Sequence, residues 1–208
     1  MRTRIKFCGI MRAEDALAAV ALGVDAVGLV LTPRSKRCLA PARAREIRNA
    51  LPPFVTVVTL FNNDDPAFVA AAIDTVAPDL VQFHGGETAE DCVRYGRPYL
   101  KSVAMGGGGD FDSVAAAHPQ AAGFLLDSHA QGGQGGSGKT FDWSLVPKDF
   151  PRPLVLAGGL TPQNVAAAIR SVRPYAVDLA SGIESAPGIK DIDKMRRFVV
   201  AVRECEKG

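Results

Sequence analysis

The feature that most constrains the fold is an alternation kept up along the chain: a short apolar, β-branched run, then an Ala-rich or helix-period segment. The runs read as strands at Arg4–Cys8, Ala26–Leu31, Val55–Phe61, Leu80–Phe83, Tyr99–Val103, Gly123–Leu126, Leu154–Leu156 and Ala176–Leu179. Helix-period segments fall between them near 13–22, 41–50, 66–76, 88–95, 111–117, 162–172 and 191–205. Several strands are apolar with little alternation, which fits a parallel sheet covered on both faces. Asp65-Pro66 and Thr161-Pro162 put a capping residue before a proline at the first helical position. Eight strands with no Pro/Gly linker between them predict an α/β fold, a single-domain (β/α)8 TIM barrel over residues 1–208. An open doubly wound sheet would hold fewer strands in this length. The pattern lapses after the sixth strand, where Ser128 to Lys139 is rich in Gly and Gln and Pro147 follows closely. A degenerate sixth helix and a loop over the site are expected there.

Composition narrows the function. Apolar residues make up 47% and charged residues 22%, enough for a packed core. Lys and Arg total 24 against 22 acids, a net charge of +2, and so even a balance argues against nucleic acid or a membrane surface as partner, which would need clustered positive charge. The basic start Met1–Lys6 precedes only a five-residue apolar stretch, Phe7–Met11, too short for a signal-peptide core. The apolar run Ala16–Val24 falls far short of the ~18 residues of a membrane span. Cys8, Cys38, Cys92 and Cys205 are scattered, without a C-x-x-C pair or a histidine at ligand spacing. No disulfide framework, no metal and a cytoplasmic location are therefore expected. Nothing in the sequence fixes an oligomeric state.

Gly133 to Thr140 satisfies the nucleotide-binding pattern G-x-x-x-x-G-K-[ST]. That motif needs a long helix behind it to present backbone N–H groups to phosphate. Here Phe141-Asp142-Trp143 and then Pro147 follow, a poor helix, so a lid over a substrate is the better reading.

Phosphate is expected elsewhere. Leu156-Ala157-Gly158-Gly159-Leu160-Thr161-Pro162 runs a strand into a Gly-Gly turn and a helix start, and Val177 to Gly182 ends the next unit similarly. These are the loops after strands seven and eight, where barrels commonly hold phosphate, so Gly158, Gly159, Ser181 and Gly182 are the candidate contacts. Cys8 ends the first strand and Asp127 the sixth, three steps apart on a ring of eight, facing each other across the mouth as candidate base and acid. If Cys8 points inward, so does Lys6, two residues deeper, and a buried ammonium needs a partner. Asp178 is the only acid of the neighbouring eighth strand, so a Lys6–Asp178 pair is expected.

With these residues in hand, the chain resembles the phosphoribosylanthranilate isomerases, barrel enzymes of tryptophan biosynthesis. The resemblance rests on Lys6-Phe7-Cys8-Gly9-Ile10, Asp25-Ala26-Val27-Gly28, Ser35-Lys36-Arg37, Val81-Gln82-Phe83-His84-Gly85, Leu125-Leu126-Asp127, Gly136 to Trp143 and Ala157-Gly158-Gly159-Leu160. It implies a cofactor-free, metal-free Amadori rearrangement of a small phosphosugar, with Asp127 as general acid and Cys8 as general base. It also implies that Arg37 holds the substrate carboxylate, a role suited to a charged fork. Gln82 and His84 would support the site. On this reading Asp127 needs a raised pKa and Cys8 a lowered one. The chain departs from the family pattern at Met11-Arg12, where a Thr or Ser cap is usual, at Phe83 for a usual Leu, and in the Gly-rich connection Met105–Asp110. The alternative is another phosphosugar barrel enzyme of the tryptophan or histidine pathway. Such enzymes would set Lys and Glu, or paired Asp, where Cys8 and Asp127 stand.

Overall fold

The computed structural model describes residues 2–106, 108–130 and 140–206. Eight parallel strands close in chain order: β1 (Arg4–Cys8), β2 (Ala26–Val30), β3 (Thr56–Phe61), β4 (Leu80–Phe83), β5 (Tyr99–Gly106), β6 (Gly123–Ala130), β7 (Leu154–Leu156) and β8 (Ala176–Leu179). Around them lie α1 (Ala13–Ala21), α2 (Pro41–Ala50), α3 (Pro66–Val76), α4 (Ala89–Val93), α5 (Phe111–Ala117), α6 (Val165–Val172) and α7 (Ile192–Cys205). This is the expected (β/α)8 barrel. Among the described residues the β6–β7 connection holds only a 3-10 turn, Trp143–Leu145, in place of a helix. None of the described helices is long and apolar enough to cross a membrane.

Strand alternation sorts the side chains into two cores. Ile5 and Phe7 of β1 point outward, and Phe7 meets Phe198 of α7 edge-on at 6.0 Å. Lys6 and Cys8 therefore face the interior. A smaller inner core of Leu100, Leu125, Val155, Ala157 and Ala176, with Leu80 against it, fills the barrel. Dry packing below and polar side chains above leave the chemistry at the strands' C-terminal ends.

Helix starts follow their local chemistry. Asp65 accepts from the N–H groups of Ala67 and Phe68 ahead of Pro66, as its sequence predicts. Thr161-Pro162 behaves differently: α6 begins only at Val165, because the Asn164 side chain bridges Gly159 O and Thr161 N and holds the preceding residues in a turn. Arg12 gives α1 no side-chain cap, but it grips Asp15 in the first turn at 2.6 Å. In the Gly-rich connection, β5 extends through Gly106 and Asp110 caps α5 by accepting from Ser113 N. β6 runs three residues past Asp127, so that carboxylate lies within the strand and not at its end. An unexpected hairpin, β9 (Glu184–Ala186) with β10 (Ile189–Lys190), follows a 3-10 turn over Ser181–Ile183.

Candidate active site

A cavity of about 640 Å³ opens at the C-terminal mouth. Cys8, Arg37, Gln82, His84, Asp127 and Asp178 line it, together with the turns at Gly158-Gly159 and Ser181-Gly182. Of the sequence-predicted site residues only Lys6 is absent from the lining; it lies one layer down. The lid and P-loop readings of Gly133–Lys139 lie outside the described residues.

The floor is an ion pair. Lys6 Nζ donates to Asp178 Oδ1 at 2.9 Å, as strand alternation predicts, and the two residues are register partners on β1 and β8. Burial lowers the Lys6 ammonium, but the Asp178 carboxylate and Cys8 together offset it and hold the ammonium above its usual value. Cys8 sits just above, with 7% of its surface exposed. Its room comes from Gly28, its register partner on β2: a Cβ there would lie 2.8 Å from the Cys8 sulfur and 3.1 Å from Lys6 Nζ.

The thiol is not tuned, in the free protein, as the resemblance implies the reaction needs. Burial pushes Cys8 up, and Lys6 and Lys190 nearby bring it only part of the way back, so its pKa is raised. The expected cation is present, but desolvation wins. Asp127 departs in the opposite sense. Burial pushes its carboxyl up, but His129 and His84 pull it below the usual carboxylate value. His129 Nδ1 lies 3.5 Å and His84 Nε2 3.7 Å from Asp127 Oδ2, and the two rings stack with centroids 4.4 Å apart. His84 itself is pushed down to about 4 by burial, so it is neutral near neutral pH. Gln82 Nε2 reaches Ser102 Oγ at 3.3 Å and His84 Nδ1 at 3.4 Å, which holds the ring from behind.

Arg37 lines the cavity, but one face of its guanidinium is already used. Nε and Nη2 donate to the two carboxylate oxygens of Glu184 at 2.7 and 2.6 Å. Glu184 also accepts from Lys190 Nζ at 2.9 Å, and Lys190 ties back to the carbonyl oxygens of Cys8 and Ala180. The hairpin thus braces Arg37 against β1 and β8 at the edge of the cavity.

At the opposite rim, Gly158 and Gly159 have φ of +80° and +64°. A Cβ on Gly158 would run into Ser128, so the turn needs glycine for both its backbone and its closeness to β6. With Ser181-Gly182 it forms a rim of backbone beside the cavity, the kind of surface that takes an anion.

Sequence reasoning missed four supports: His129, Glu184, Lys190 and Lys101. His129 was findable, since alternation puts it on the face of Asp127 once β6 is allowed to continue. Lys101 Nζ donates to Gly85 O at 2.7 Å and Glu87 at 2.9 Å, steadying the turn after His84. Glu184 and Lys190 meet through a two-rung hairpin too short to announce itself.

Comparison with known proteins accords with this geometry. The family model for N-(5'-phosphoribosyl)anthranilate isomerase matches residues 5–201. An N-(5'-phosphoribosyl)anthranilate isomerase of Pseudomonas aeruginosa is 56% identical over 200 residues, 96% of this chain and 95% of that one. The crystal structure of phosphoribosyl anthranilate isomerase from Thermotoga maritima superposes with a TM-score of 0.88 at 42% identity, covering 97% of this chain and 99% of that one. A second such isomerase, in complex with reduced 1-(o-carboxyphenylamino)-1-deoxyribulose 5-phosphate, superposes at 0.85 with 39% identity over 97% and 99% of the two chains. By fold, mouth geometry and sequence, the chain belongs to the N-(5'-phosphoribosyl)anthranilate isomerase family.

Proposed function

We infer that the chain catalyses the family's aldose–ketose isomerisation in tryptophan biosynthesis, and that Cys8 and Asp127 move the protons. The reaction turns N-(5'-phosphoribosyl)anthranilate into 1-(2-carboxyphenylamino)-1-deoxy-D-ribulose 5-phosphate. Asp127 gives a proton to the furanose ring oxygen; the C1′–O bond breaks and the nitrogen lone pair forms the iminium. The Cys8 thiolate then removes the proton at C2′, and the C–H electrons flow toward the iminium to give an enolamine. Tautomerisation yields the ketone. One proton leaves Asp127 and one arrives on Cys8, so no electron acceptor and no cofactor is required.

The observation that carries this reading is that Cys8 and Asp127, from strands three apart on the ring, face one cavity with glycine turns on its rim. Arg37 is suited to the anthranilate carboxylate, and the amides near Gly158, Gly159, Ser181 and Gly182 to the phosphate. The relative bound to the reduced product analogue supports the same class of ligand. A bound dianion beside Asp127 would favour its protonated form, the direction an acid needs.

The reading takes residues 1–208 as one barrel domain, supported by the β1–β8 seam that ties the two ends of the barrel. A reducing cytoplasm fits the four cysteines, all of which are unpaired. The test is fluorescence-monitored turnover of freshly made phosphoribosylanthranilate by the wild type and Cys8→Ser. An inactive wild type would refute the function, and near wild-type turnover by Cys8→Ser would remove the role of that thiol.

A further inference from the structure

We propose that the mouth of the barrel also holds a divalent transition-metal site, made by His84 Nε2, His129 Nδ1 and Asp127 Oδ2, whose occupation by an ion such as Zn²⁺ or Co²⁺ shuts the enzyme off. The three ligand atoms lie within 4.8 Å of one another, with the carboxylate oxygen 3.5 and 3.7 Å from the two nitrogens. Both imidazoles are more than nine-tenths buried, at 5% and 8% side-chain exposure. Neither His84 Nε2 nor His129 Nδ1 has a hydrogen-bond partner among the described residues. Two buried ring nitrogens held 3.5–3.7 Å from one carboxylate oxygen, too far for a good hydrogen bond, form an arrangement that a cation between them would complete.

The rings stack with centroids 4.4 Å apart and planes 26° from parallel. An imidazole binds a metal in its own plane, so one ring turns about its χ2 for both nitrogens to meet a single ion. The carboxylate oxygen, 3.5 and 3.7 Å from the two nitrogens, is already near the ~3.0–3.4 Å between ligand atoms of a bound set, and all three atoms lie within 4.8 Å. The next layer fits as well. A ligating imidazole donates its other N–H to an acceptor, and Gln82 Oε1 is a buried acceptor with no partner. Turning that amide over presents Oε1 to His84 Nδ1. Two imidazoles and one carboxylate select first-row ions over Mg²⁺ or Ca²⁺, which prefer all-oxygen sets.

An ion bound here would take the Asp127 oxygen that the proposed reaction protonates and would occupy space in the substrate cavity. Inhibition therefore rests on Asp127 being the acid; binding does not.

The test titrates the full-length chain with Co²⁺ alone and follows its visible d–d absorption, with Zn²⁺ in competition. One equivalent should bind without a thiolate-to-cobalt charge-transfer band. Affinity should fall at least tenfold in His129→Phe and in His129→Asn and persist in Cys8→Ser. Both histidine variants are checked by circular dichroism, and Co²⁺ should raise the Tm of the wild type more than theirs. Turnover should fall as the site fills and return with a chelator. Absence of binding at millimolar Co²⁺, full affinity in folded His129 variants, or a thiolate band placing the ion on Cys8 would each overturn the site. Binding that leaves turnover untouched would uphold the site and overturn the acid role of Asp127.

Discussion

Lys6 and Asp178 meet at the seam where the barrel closes, Nζ to Oδ1 at 2.9 Å, with side-chain exposures of only 5% and 8%. Strand pairing sets them opposite each other, so the contact is imposed by register and not found by chance. It fixes the floor on which Cys8 stands. Removing one partner strands a buried charge, which costs about 3–5 kcal/mol, whereas an apolar pair of similar volume is often neutral. Lys6→Met and Asp178→Asn should each lower the urea midpoint, and Lys6→Met with Asp178→Leu should regain most of the loss. The raised Lys6 pKa means that its share of this stabilisation is lost as pH climbs through the raised value, while burial raises Asp178 too, so the pair also weakens on the acid side as that carboxylate takes up its proton. Additive losses in the double variant would mean the pair is not one unit.

The directions at Cys8 and Asp127 predict an unusual pH profile. Asp127 sits low and Cys8 high, so the resting pair is carboxylate and thiol. The productive pair, carboxylic acid and thiolate, carries the same total number of protons. Its share of the population is therefore small but constant between the two pKa values. kcat/KM should show no step from either enzyme group between about pH 5 and 8, and fall only beyond the usual carboxylate and thiol values on either side. The substrate phosphate, titrating near pH 6, adds a step common to every variant. A narrow bell centred near neutrality would contradict the assignment. Asp127→Asn, which cannot supply the proton, should lose most of kcat while keeping its fold.

How far the sequence reached follows from what each signal measures. The strand runs reveal the barrel because buried parallel strands need continuous apolar residues, and every strand start except that of β3 agrees with the structure. Lys6–Asp178 was legible because alternation and ring order leave one acid within reach. Thr161-Pro162 misled because a capping pattern cannot reveal that Asn164 will hold the turn open. The electrostatics were beyond reach for a similar reason. A sequence shows that Cys8 has cationic neighbours, but only the packed site shows that desolvation outweighs them.

Arg37 yields a more specific prediction than a lone basic residue would. Glu184 grips its Nε and Nη2 at 2.7 and 2.6 Å, which aims the guanidinium before any ligand arrives. Arg37→Lys keeps the charge and loses the fork. KM should rise about 10–100-fold, the equivalent of about 1.5–3 kcal/mol for a charged hydrogen bond, with a smaller change in kcat. Glu184→Gln should raise KM in the same direction by loosening the same arm. An unchanged KM in Arg37→Lys would release Arg37 from contact with the substrate.

Gly158 offers the test of the phosphate rim. Its φ of +80° is one that side chains rarely adopt, and a Cβ there meets Ser128, the residue beside Asp127. Gly158→Ala should push the turn away from β6 and spoil the line of its N–H groups. Strain at one such position costs about 1–3 kcal/mol. Ser128 is also pressed, and its hydroxyl lies 3.5 Å from Asp127 Oδ1, so the acid should be disturbed through the same contact. The variant should therefore lose affinity for inorganic phosphate as a competitive inhibitor and lose kcat together. Gly159→Ala, at a φ of +64°, should weaken phosphate as well. Loss of phosphate affinity in Gly158→Ala with kcat intact would show that the rim and Asp127 are not coupled through Ser128.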